Sequence, residues 1–402
     1  MPKLNHATYL LTGILVLFTG LDAAAAEPAA GRLPHVTPAD VGLNAEKLQQ
    51  IDAIVQEGLD QKKMPGCVVL VGRRDKIVML KAYGSKRLEP AVEPMTTDTV
   101  FDLASLTKPI ATATSVMILV DQQKLKIDEP VATYLPEFAT NGKEKVTVRQ
   151  LLIHVSGLIP DNSIKDYDDG PEKAIERVFA LKLQTPPGER FAYSDMNFVV
   201  LGELIKKLSG KSVHEFSSEH IFQPLGMNET MFLPGEELKL RAAPTEKRGG
   251  KWMLGEVHDP RAFKLGGVAG HAGLFSTAED LAIYASMMLG RGERDGKRIL
   301  SEDAWKQMTA PNKVPARRNN GTPYEGLRGL GWDIQTGYSI NRGESFSPAA
   351  FGHGGFTGTA IWIDPDKDLF LIFLSNRVHP DGKGLVNPLI GKIGTVVGNL
   401  SE

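Results

Sequence analysis

The chain has 402 residues, of which 42% are hydrophobic and 23% are charged, and its formal net charge is −2. This is the composition of an ordinary globular protein, long enough for one large domain or two small ones. A charge so close to neutrality argues against nucleic acid as a partner, because binding a phosphate backbone requires a basic face. The single cysteine, Cys67, excludes an internal disulfide and a cysteine-based metal site.

Residues 1–26 have the pattern of a signal peptide. Lys3 precedes an apolar run that ends at Leu21, and Ala24 and Ala26 are small residues at the −3 and −1 positions that a signal peptidase reads. The alternative is a membrane anchor that stays in place, but the apolar run is short for a stable span. We therefore expect an exported protein, periplasmic or secreted, with no stable membrane span after processing.

Residues 27–43 are rich in Ala, Pro and Gly and are expected to form a linker. Asn44 then has the chemistry of an N-cap, and one apolar stripe predicts a helix after it, with the members Leu48, Ile51, Val55 and Leu59. Two antiparallel strands are expected on either side of a turn at residues 73–76. From residue 44 to residue 402 we expect a single domain.

The middle of the chain has helical patterns. Helices are predicted at residues 105–125, 148–154, 196–209 and 278–289, the last capped by Ser276 or Thr277. Strands return at 357–364 and 369–376, and Pro388 begins a final helix. The predicted fold class is therefore α+β: one antiparallel sheet built from both termini and flanked by helices, with a mostly helical region inserted between them. The crevice between the two parts is the expected place for a site.

Ser105-Leu-Thr-Lys108 is the only Ser-x-x-Lys in the chain. On a helix these two positions share a face, so the serine hydroxyl and the lysine amine can touch. A serine becomes a good nucleophile only when a base takes its proton. Lysine can be that base where burial or a neighbouring cation lowers its pKa. The pair alone is a weak signal, because about one arises by chance in a chain of this length.

Two further stretches are expected to place reactive or hydrogen-bonding groups at the crevice. Tyr193 directly precedes Ser194, a predicted helix cap, which leaves the phenol at a helix entrance. Gly354 and Gly355, in "FGHGGFTGT", permit a ligand to approach a strand closely, and backbone N–H groups there can face a developing oxyanion. Taken singly, the first stretch is more typical of a half-buried structural tyrosine, and the second is more typical of a glycine-rich turn.

The order and spacing of the three motifs resemble the serine β-lactamase and penicillin-binding protein superfamily. The sequence is most similar to its class C-like branch of esterases, D-aminopeptidases and D,D-peptidases. Two other stretches, "LLIHVSGL" and "GHAGLFSTAEDLA", match that branch as well. The resemblance covers about residues 44 to 400, and it implies a β-lactamase-like fold and a serine hydrolase.

The resemblance also implies roles for individual residues. Ser105 would be the acylated nucleophile, Lys108 its proton acceptor, and Tyr193 the group that shuttles the proton to the leaving group and later activates water. The oxyanion hole would be made by the backbone N–H groups of Ser105 and Phe356. The implied substrate-binding positions are Asp195, His353, Gly354 and Gly355.

Two departures from the family pattern are informative. Asp195 stands where relatives carry an amide, so an ionised carboxylate would favour a protonated Lys108 or a substrate with a positive or hydroxyl group. His353 stands where relatives usually carry lysine, and a neutral imidazole binds a carboxylate less firmly than an ammonium does. Both changes argue against a dedicated β-lactamase. We expect His353 to become charged below about pH 6.

The remaining histidines give weaker signals. His258, Asp259 and His271 lack the spacing of a metal-binding motif, so no metal and no other cofactor is expected. The stretch "GGVAGHAG" lacks the Lys-Ser/Thr ending of a phosphate-binding loop. His154 is expected to stabilise a turn rather than to take part in catalysis.

The sequence thus predicts an exported serine hydrolase that acts through an acyl-enzyme on esters or amides. Its partner would be a small-molecule or peptidoglycan-derived substrate, which makes D,D-peptidase, muropeptide amidase and esterase activities the candidates. A non-turnover penicillin-binding or sensor protein of the same fold remains the alternative, because the motif residues do not fix the rate of deacylation.

Overall fold

The computed structural model describes residues 1–2, 31–318 and 320–401, so the predicted signal peptide lies almost entirely outside the described residues. In the part that is described, no helix combines the length and the apolar character needed to cross a membrane. The strands of this part are β1 (Gly66–Arg73), β2 (Lys76–Arg87), β3 (Glu93–Pro94), β4 (Phe101–Asp102), β5 (Met231–Phe232), β6 (Lys247–Arg248), β7 (Lys251–Trp252), β8 (Leu274–Ser276), β9 (Glu293–Arg294), β10 (Lys297–Arg298), β11 (Asn312–Arg317), β12 (Pro323–Arg328), β13 (Asp333–Gln335), β14 (Phe351–Gly355), β15 (Thr359–Asp364) and β16 (Leu369–Ser375).

Most α-helices lie between β2 and β11 in the chain, as the sequence predicts. The α-helices of the described segments are α1 (Ala45–Asp60), α2 (Thr114–Asp121), α3 (Val148–Leu152), α4 (Pro171–Phe179), α5 (Asp195–Ser209), α6 (Val213–Ser217), α7 (Gln223–Leu225), α8 (Glu236–Arg241), α9 (Pro260–Lys264), α10 (Ala278–Leu289), α11 (Glu302–Thr309) and α12 (Asn387–Gly398).

One antiparallel sheet is assembled from both ends of the domain. Its strand order is β11-β12-β13-β14-β15-β16-β1-β2-β3. The first long strand pairs with the last, in a register that runs from Cys67 opposite Ser375 to Arg73 opposite Leu369. The predicted α+β architecture, with a sheet from both termini and an inserted helical region, is confirmed.

The centre of the sheet is covered on both faces, which explains its unbroken apolar strands. Successive side chains of a strand point to opposite faces. Val68 and Leu70 of β1 accordingly join the core beneath the inserted helices, where α10 packs on the sheet. Val69 and Val71 join the core on the other face, which α1 and α12 cover.

The residues predicted as a linker are partly packed. Leu33 is buried, Val36 N donates to Ile77 O, and Ile77 N donates to Pro34 O, so residues 33–36 run beside β2. Satisfying the backbone groups of a sheet edge favours this arrangement. The helix predicted after this segment is present as α1, and the Asn44 side chain caps it by accepting from Lys47 N.

The helix predicted from residue 105 to residue 125 is divided into three pieces. A 3₁₀ turn (Ala104–Leu106) and a π-helical turn (Lys108–Ala113) precede α2. Pro109 has no N–H to donate to the preceding turn, which disfavours a continuous α-helix here. Local π-helical geometry is frequent at functional sites, and it sets the direction of the Lys108 side chain.

Candidate active site

Ser105 lies on the tight turn that follows β4. The preceding residue, Ala104, has a φ of +46°, a left-handed conformation that is uncommon for a residue with a Cβ. Its N–H donates to Asp102 Oδ1 over 2.8 Å, and Asp102 Oδ2 accepts from His258 N over 2.6 Å. The buried carboxylate of Asp102 therefore holds the strained backbone that presents the Ser105 hydroxyl.

Lys108 is completely buried beside Ser105. Its Nζ lies 2.9 Å from Ser105 Oγ, 3.0 Å from His271 O and 2.7 Å from Asp195 Oδ1. Three acceptors match the three donors of an ammonium group. Burial alone would lower the pKa of Lys108, but the Asp195 carboxylate and Tyr193 together more than offset it, and the pKa is raised. Lys108 is thus held as a cation, and by itself it is not the free base that the resemblance implies.

The ring of Tyr193 lies next to the ammonium group of Lys108. Lys108 Nζ lies 5.1 Å from the centroid of its ring. The buried phenol oxygen has no well-oriented hydrogen-bond partner within the described chain, although Ser105 and Lys108 lie close enough to interact with it. Burial raises the pKa of Tyr193, although the charge of Lys108 opposes this. The group is consequently a neutral phenol with a proton available for transfer.

The predicted structural role of His154 fits its contacts. Its ring stacks on Tyr193 with centroids 4.5 Å apart, and its Nδ1 accepts from Ser194 N over 3.1 Å. Ser156 Oγ, in the same turn, donates to Asn197 Oδ1 over 2.6 Å. The "HVSGL" turn therefore holds the first turn of α5, from which Asp195 reaches Lys108.

Gly355 of β14 packs directly against the turn that contains Ser105 (the nucleophile turn, residues 103–106). A Cβ on Gly355 would lie 2.5 Å from Leu103 O and would also overlap Thr359 Oγ1, so only glycine fits. Thr359 Oγ1 donates to Leu103 O over 3.1 Å, and Thr357 Oγ1 donates to Asp102 O over 2.7 Å. These contacts fix the end of β14, and with it the backbone of Phe356, beside Ser105.

His353 is buried, and the structure corrects the expectation about its charge. Its Nδ1 donates to Gly354 O over 2.8 Å, whereas its Nε2 has no partner in the residues described. Burial, with the charges of Arg328 and Lys108 in addition, lowers the pKa of His353 well below 6.5. The expectation that this imidazole becomes charged below about pH 6 is therefore wrong. With Nδ1 protonated, Nε2 can only accept a hydrogen bond.

These groups open onto a pocket of about 280 Å³. The pocket wall also contains residues that the sequence analysis did not single out: Arg328, Asp333, Tyr338, Asn341, Arg377 and Leu385. For Arg328, the available signal was a charged residue at the end of a predictable strand, β12. Sequence distance hides the others, because β13, the segment at 338–341 and the segment at 377–385 are brought to Ser105 by the tertiary structure alone.

An acidic cluster flanks Lys108 on the other side. Asp195, Asp259 and His271 each place one potential ligand atom within 4.8 Å of the others, although their sequence spacing gave no metal motif. His271 Nε2 lies 3.0 Å from Asp259 Oδ1, and the same oxygen caps α9 by accepting from Arg261 N and Ala262 N. The cationic Lys108 already neutralises Asp195. We interpret the cluster as the counter-charge of Lys108 and assign no metal to it.

Comparisons with known proteins identify relatives of this chain. Among curated proteins, the chain is 31% identical to an N-acetylmuramyl-L-alanine amidase of Bacillus subtilis, with 92% of this chain and 91% of the relative covered. It is 30% identical to a protein of Escherichia coli K12 provisionally named D-alanyl-D-alanine carboxypeptidase, with 90% and 91% covered.

Among solved structures, a penicillin-binding protein homologue from Caulobacter crescentus superposes with a TM-score of 0.69 at 22% identity, covering 88% of this chain and 99% of that one. This likeness shows a common fold. The family model described as "Beta-lactamase" matches residues 51–394. The chain belongs to the beta-lactamase family, and it is a serine hydrolase of the β-lactamase-like superfamily.

Proposed function

We propose that this hydrolase acts through an acyl-enzyme on Ser105 and that its substrates are amides or esters derived from peptidoglycan. The observation that carries the proposal is the 2.9 Å contact between Lys108 Nζ and Ser105 Oγ at the edge of the pocket. A serine in contact with a buried lysine, beside the neutral phenol of Tyr193, is an arrangement suited to nucleophilic acyl transfer.

The proton of Ser105 needs an acceptor, and the ion pair of Lys108 with Asp195 supplies it. Lys108 passes one proton to Asp195 Oδ1 and takes the Ser105 proton as Oγ attacks the acyl carbon. The net transfer is from Ser105 to Asp195, and Lys108 remains an ammonium beside the tetrahedral intermediate. The distances of 2.9 Å and 2.7 Å support such a relay, since both lie within hydrogen-bond reach.

The remaining steps use the groups at the pocket edge. The backbone N–H groups of Ser105 and Phe356 stabilise the oxyanion. Tyr193 donates its proton to the leaving amine or alkoxide, and the proton held by the pair of Lys108 and Asp195 restores the phenol. In deacylation the same relay accepts a proton from the attacking water and returns it to Ser105 Oγ as the bond between Oγ and the acyl carbon breaks, which releases the carboxylic acid and restores the serine.

The names of the relatives support this substrate class. One is named for an amide between N-acetylmuramic acid and L-alanine, the other for a bond between two D-alanines, and both match over nine-tenths of this chain. Both bonds are amides of the cell wall, which lies outside the cytoplasmic membrane. An exported enzyme, as the pattern of residues 1–26 predicts, would meet such substrates.

Two measurements test the proposal. A fluorophosphonate probe should label wild type on the peptide that contains Ser105, and Ser105→Ala should remain unlabelled. Cell-wall fragments incubated with wild type should yield products of amide cleavage by mass spectrometry, with Ser105→Ala as the control. Labelling that persists in the variant would exclude Ser105 as the nucleophile. One equivalent of acylation followed by a stall would favour the non-turnover alternative.

A further inference from the structure

Phe356 directly follows β14 and lines the pocket, and it is 60% exposed. Two neighbours nevertheless contact its ring. The imidazole of His258 stacks on it, with centroids 5.5 Å apart and an interplanar angle of 25°. The guanidinium carbon of Arg377 lies 4.5 Å from the centroid of the same ring. Aromatic stacking and cation–π contacts therefore restrict a ring that water reaches.

His258 also contacts the nucleophile turn. Its backbone N–H donates to Asp102 Oδ2 over 2.6 Å, and the other oxygen of Asp102 accepts from Ala104 N over 2.8 Å. The proposed oxyanion hole consists of the N–H groups of Ser105 and Phe356. His258 is thus connected to both halves of this hole, through its backbone to the turn of Ser105 and through its ring to Phe356.

Glu246 fixes the orientation of the His258 ring. His258 Nε2 lies 2.6 Å from Glu246 Oε2, and because a carboxylate can only accept, Nε2 carries the proton. Burial lowers the pKa of Arg377, and the charge of Glu246 opposes this effect. Glu246 therefore interacts with both groups that contact Phe356.

The side chain of His258 is 15% exposed, and it does not belong to the described residues that line the pocket. It therefore has no direct contact with a substrate bound there. Any effect of His258 on the reaction has to pass through Phe356 or through Asp102.

We propose that His258, oriented by Glu246, is a positioning residue for the oxyanion hole. The inference rests on the proposed function, because it takes the N–H groups of Ser105 and Phe356 as the donors. An oxyanion hole acts through preorganised donors that lie about 2.7–3.1 Å from the position of the developing oxyanion. A Phe356 ring that was free to turn at the surface would let its own N–H move from this position, and the contact with His258 prevents that movement.

The test compares a mimic of the tetrahedral intermediate with a neutral ester. Ser105 Oγ adds to the boron of phenylboronic acid and gives up its proton to the relay, so the adduct is a tetrahedral anion whose affinity depends on the oxyanion hole. His258→Ala removes the ring but keeps the N–H that binds Asp102. It should lower kcat/KM for p-nitrophenyl acetate about thirtyfold and raise the inhibition constant of phenylboronic acid by a similar factor.

His258→Phe keeps an aromatic ring against Phe356, so both quantities should change less than in His258→Ala. A merely structural role would reduce the fraction of folded enzyme, which lowers the apparent kcat but leaves the inhibition constant unchanged. His220→Ala is the matched control and should change neither quantity. The ring of His220 packs on Phe216 with centroids 4.3 Å apart, and its Nε2 lies 3.8 Å from Glu219 Oε1.

Glu246→Ala tests the orienting carboxylate and should raise the inhibition constant about fivefold. Glu246→Gln should raise it less, because the amide oxygen can still accept from His258 Nε2. The inference is overturned if the inhibition constant in His258→Ala stays within about twofold of wild type. Should His258→Ala fail to fold, the same criterion applies to Glu246→Ala.

The outcome in wild type separates this inference from the proposed function. A wild type that neither hydrolyses the ester nor is labelled by fluorophosphonate at Ser105 would contradict the proposed function. An active, labelled wild type with an unchanged inhibition constant in the variants would contradict the role of His258 alone.

Discussion

Asp195 Oδ1 lies 2.7 Å from Lys108 Nζ. Asp195 is the residue that departs from the family's Tyr-x-Asn motif, and Lys108 is the lysine of its Ser-x-x-Lys motif. An amide at residue 195 would leave the buried ammonium with neutral acceptors only: Ser105 Oγ, His271 O and the amide oxygen. With aspartate, Lys108 and Asp195 form an ion pair next to the Ser105 hydroxyl. The first prediction concerns the protonation of this ion pair.

Replacement of Asp195 by asparagine should reduce kcat for ester hydrolysis at pH 7 about a hundredfold, because the relay loses its terminal acceptor. The variant also removes the largest influence that raises the pKa of Lys108, so burial then lowers it. Activity of Asp195→Asn should consequently recover as the pH rises through the lowered pKa, when neutral Lys108 becomes the base. The kcat/KM values from pH 6 to 10 provide the measurement.

Asp161→Asn is the matched control for that variant. Asp161 Oδ1 lies 3.4 Å from Arg261 Nη1, and burial and the nearby charge of Asp195 raise its pKa, but the structure shows no ion pair between Asp161 and Lys108. Its removal should change kcat less than about threefold, with no new dependence on pH. A normal rate and pH profile in Asp195→Asn would contradict the relay.

His353 should remain neutral throughout the physiological range. Burial and the charges of Arg328 and Lys108 lower the pKa of His353 well below 6.5, so no protonation is expected as the pH falls to about 5.5. The preference between 3-acetoxybenzoate and its methyl ester, two aryl esters that differ in one negative charge, should therefore stay constant from pH 7.5 to 5.5. NMR titration of the His353 ring checks the same point directly, and a midpoint near 6.5 would refute it.

Gly355→Ala should impair catalysis through backbone contact alone. The added Cβ would meet Leu103 O at 2.5 Å, and neither β14 nor the nucleophile turn can yield without moving the other. We expect kcat to fall at least about tenfold and the free energy of unfolding to fall by about 1–3 kcal/mol. Gly235→Ala is the control, because a Cβ there meets nothing within 4 Å and should change neither quantity.

Asp280 should make stability depend on pH. Burial raises the pKa of Asp280 from 3.8 to about 6, even though its carboxylate accepts from Glu229 N and Thr230 Oγ1. The folded state therefore binds a proton at Asp280 more tightly than the unfolded state does. The stability contributed by this bound proton is lost as the pH rises from about 4 to 6. The difference of about two pH units corresponds to about 3 kcal/mol.

Asp280→Asn removes this titration. The free energy of unfolding of the variant minus that of wild type should be about 3 kcal/mol larger at pH 7.5 than at pH 3.5, because only wild type loses stability as the pH rises. Urea unfolding of both proteins at the two pH values gives the comparison, and the influence of all other titrating groups cancels between them. A stability difference between variant and wild type that is independent of pH would show that Asp280 is not the group responsible.

The exported protein should begin near Glu27. Lys3, the apolar run and the Ala24-x-Ala26 pattern predict cleavage after residue 26. Such a cut would retain Leu33 and Val36, which contact the sheet. N-terminal sequencing of protein recovered from outside the cytoplasm provides the measurement, and a sequence that starts at Met1 would refute the prediction.

Local patterns in the chain predicted much of the secondary structure. The caps Asn44 and Thr277 and the left-handed Gly210 lie at the ends of helices near the predicted boundaries. The predicted strands at 357–364 and 369–376 are β15 and β16. Prediction was poorest around Lys108, where a single helix was expected although Pro109 disfavours one. The side chains of Lys108 and Thr112 also donate to His271 O and Gly270 O, contacts that no local pattern contains.

The sequence by itself determined the family, the fold class and the motif residues Ser105, Lys108 and Tyr193, because hydrophobic periodicity and motif spacing act over a few residues. Only the tertiary structure decided the charges of these groups. A pKa depends on burial and on neighbours in space, and Asp195 and Arg328 come to the site from distant segments. For that reason the neutral His353, the cationic Lys108 and the buried charge of Arg328 became visible only in the folded chain.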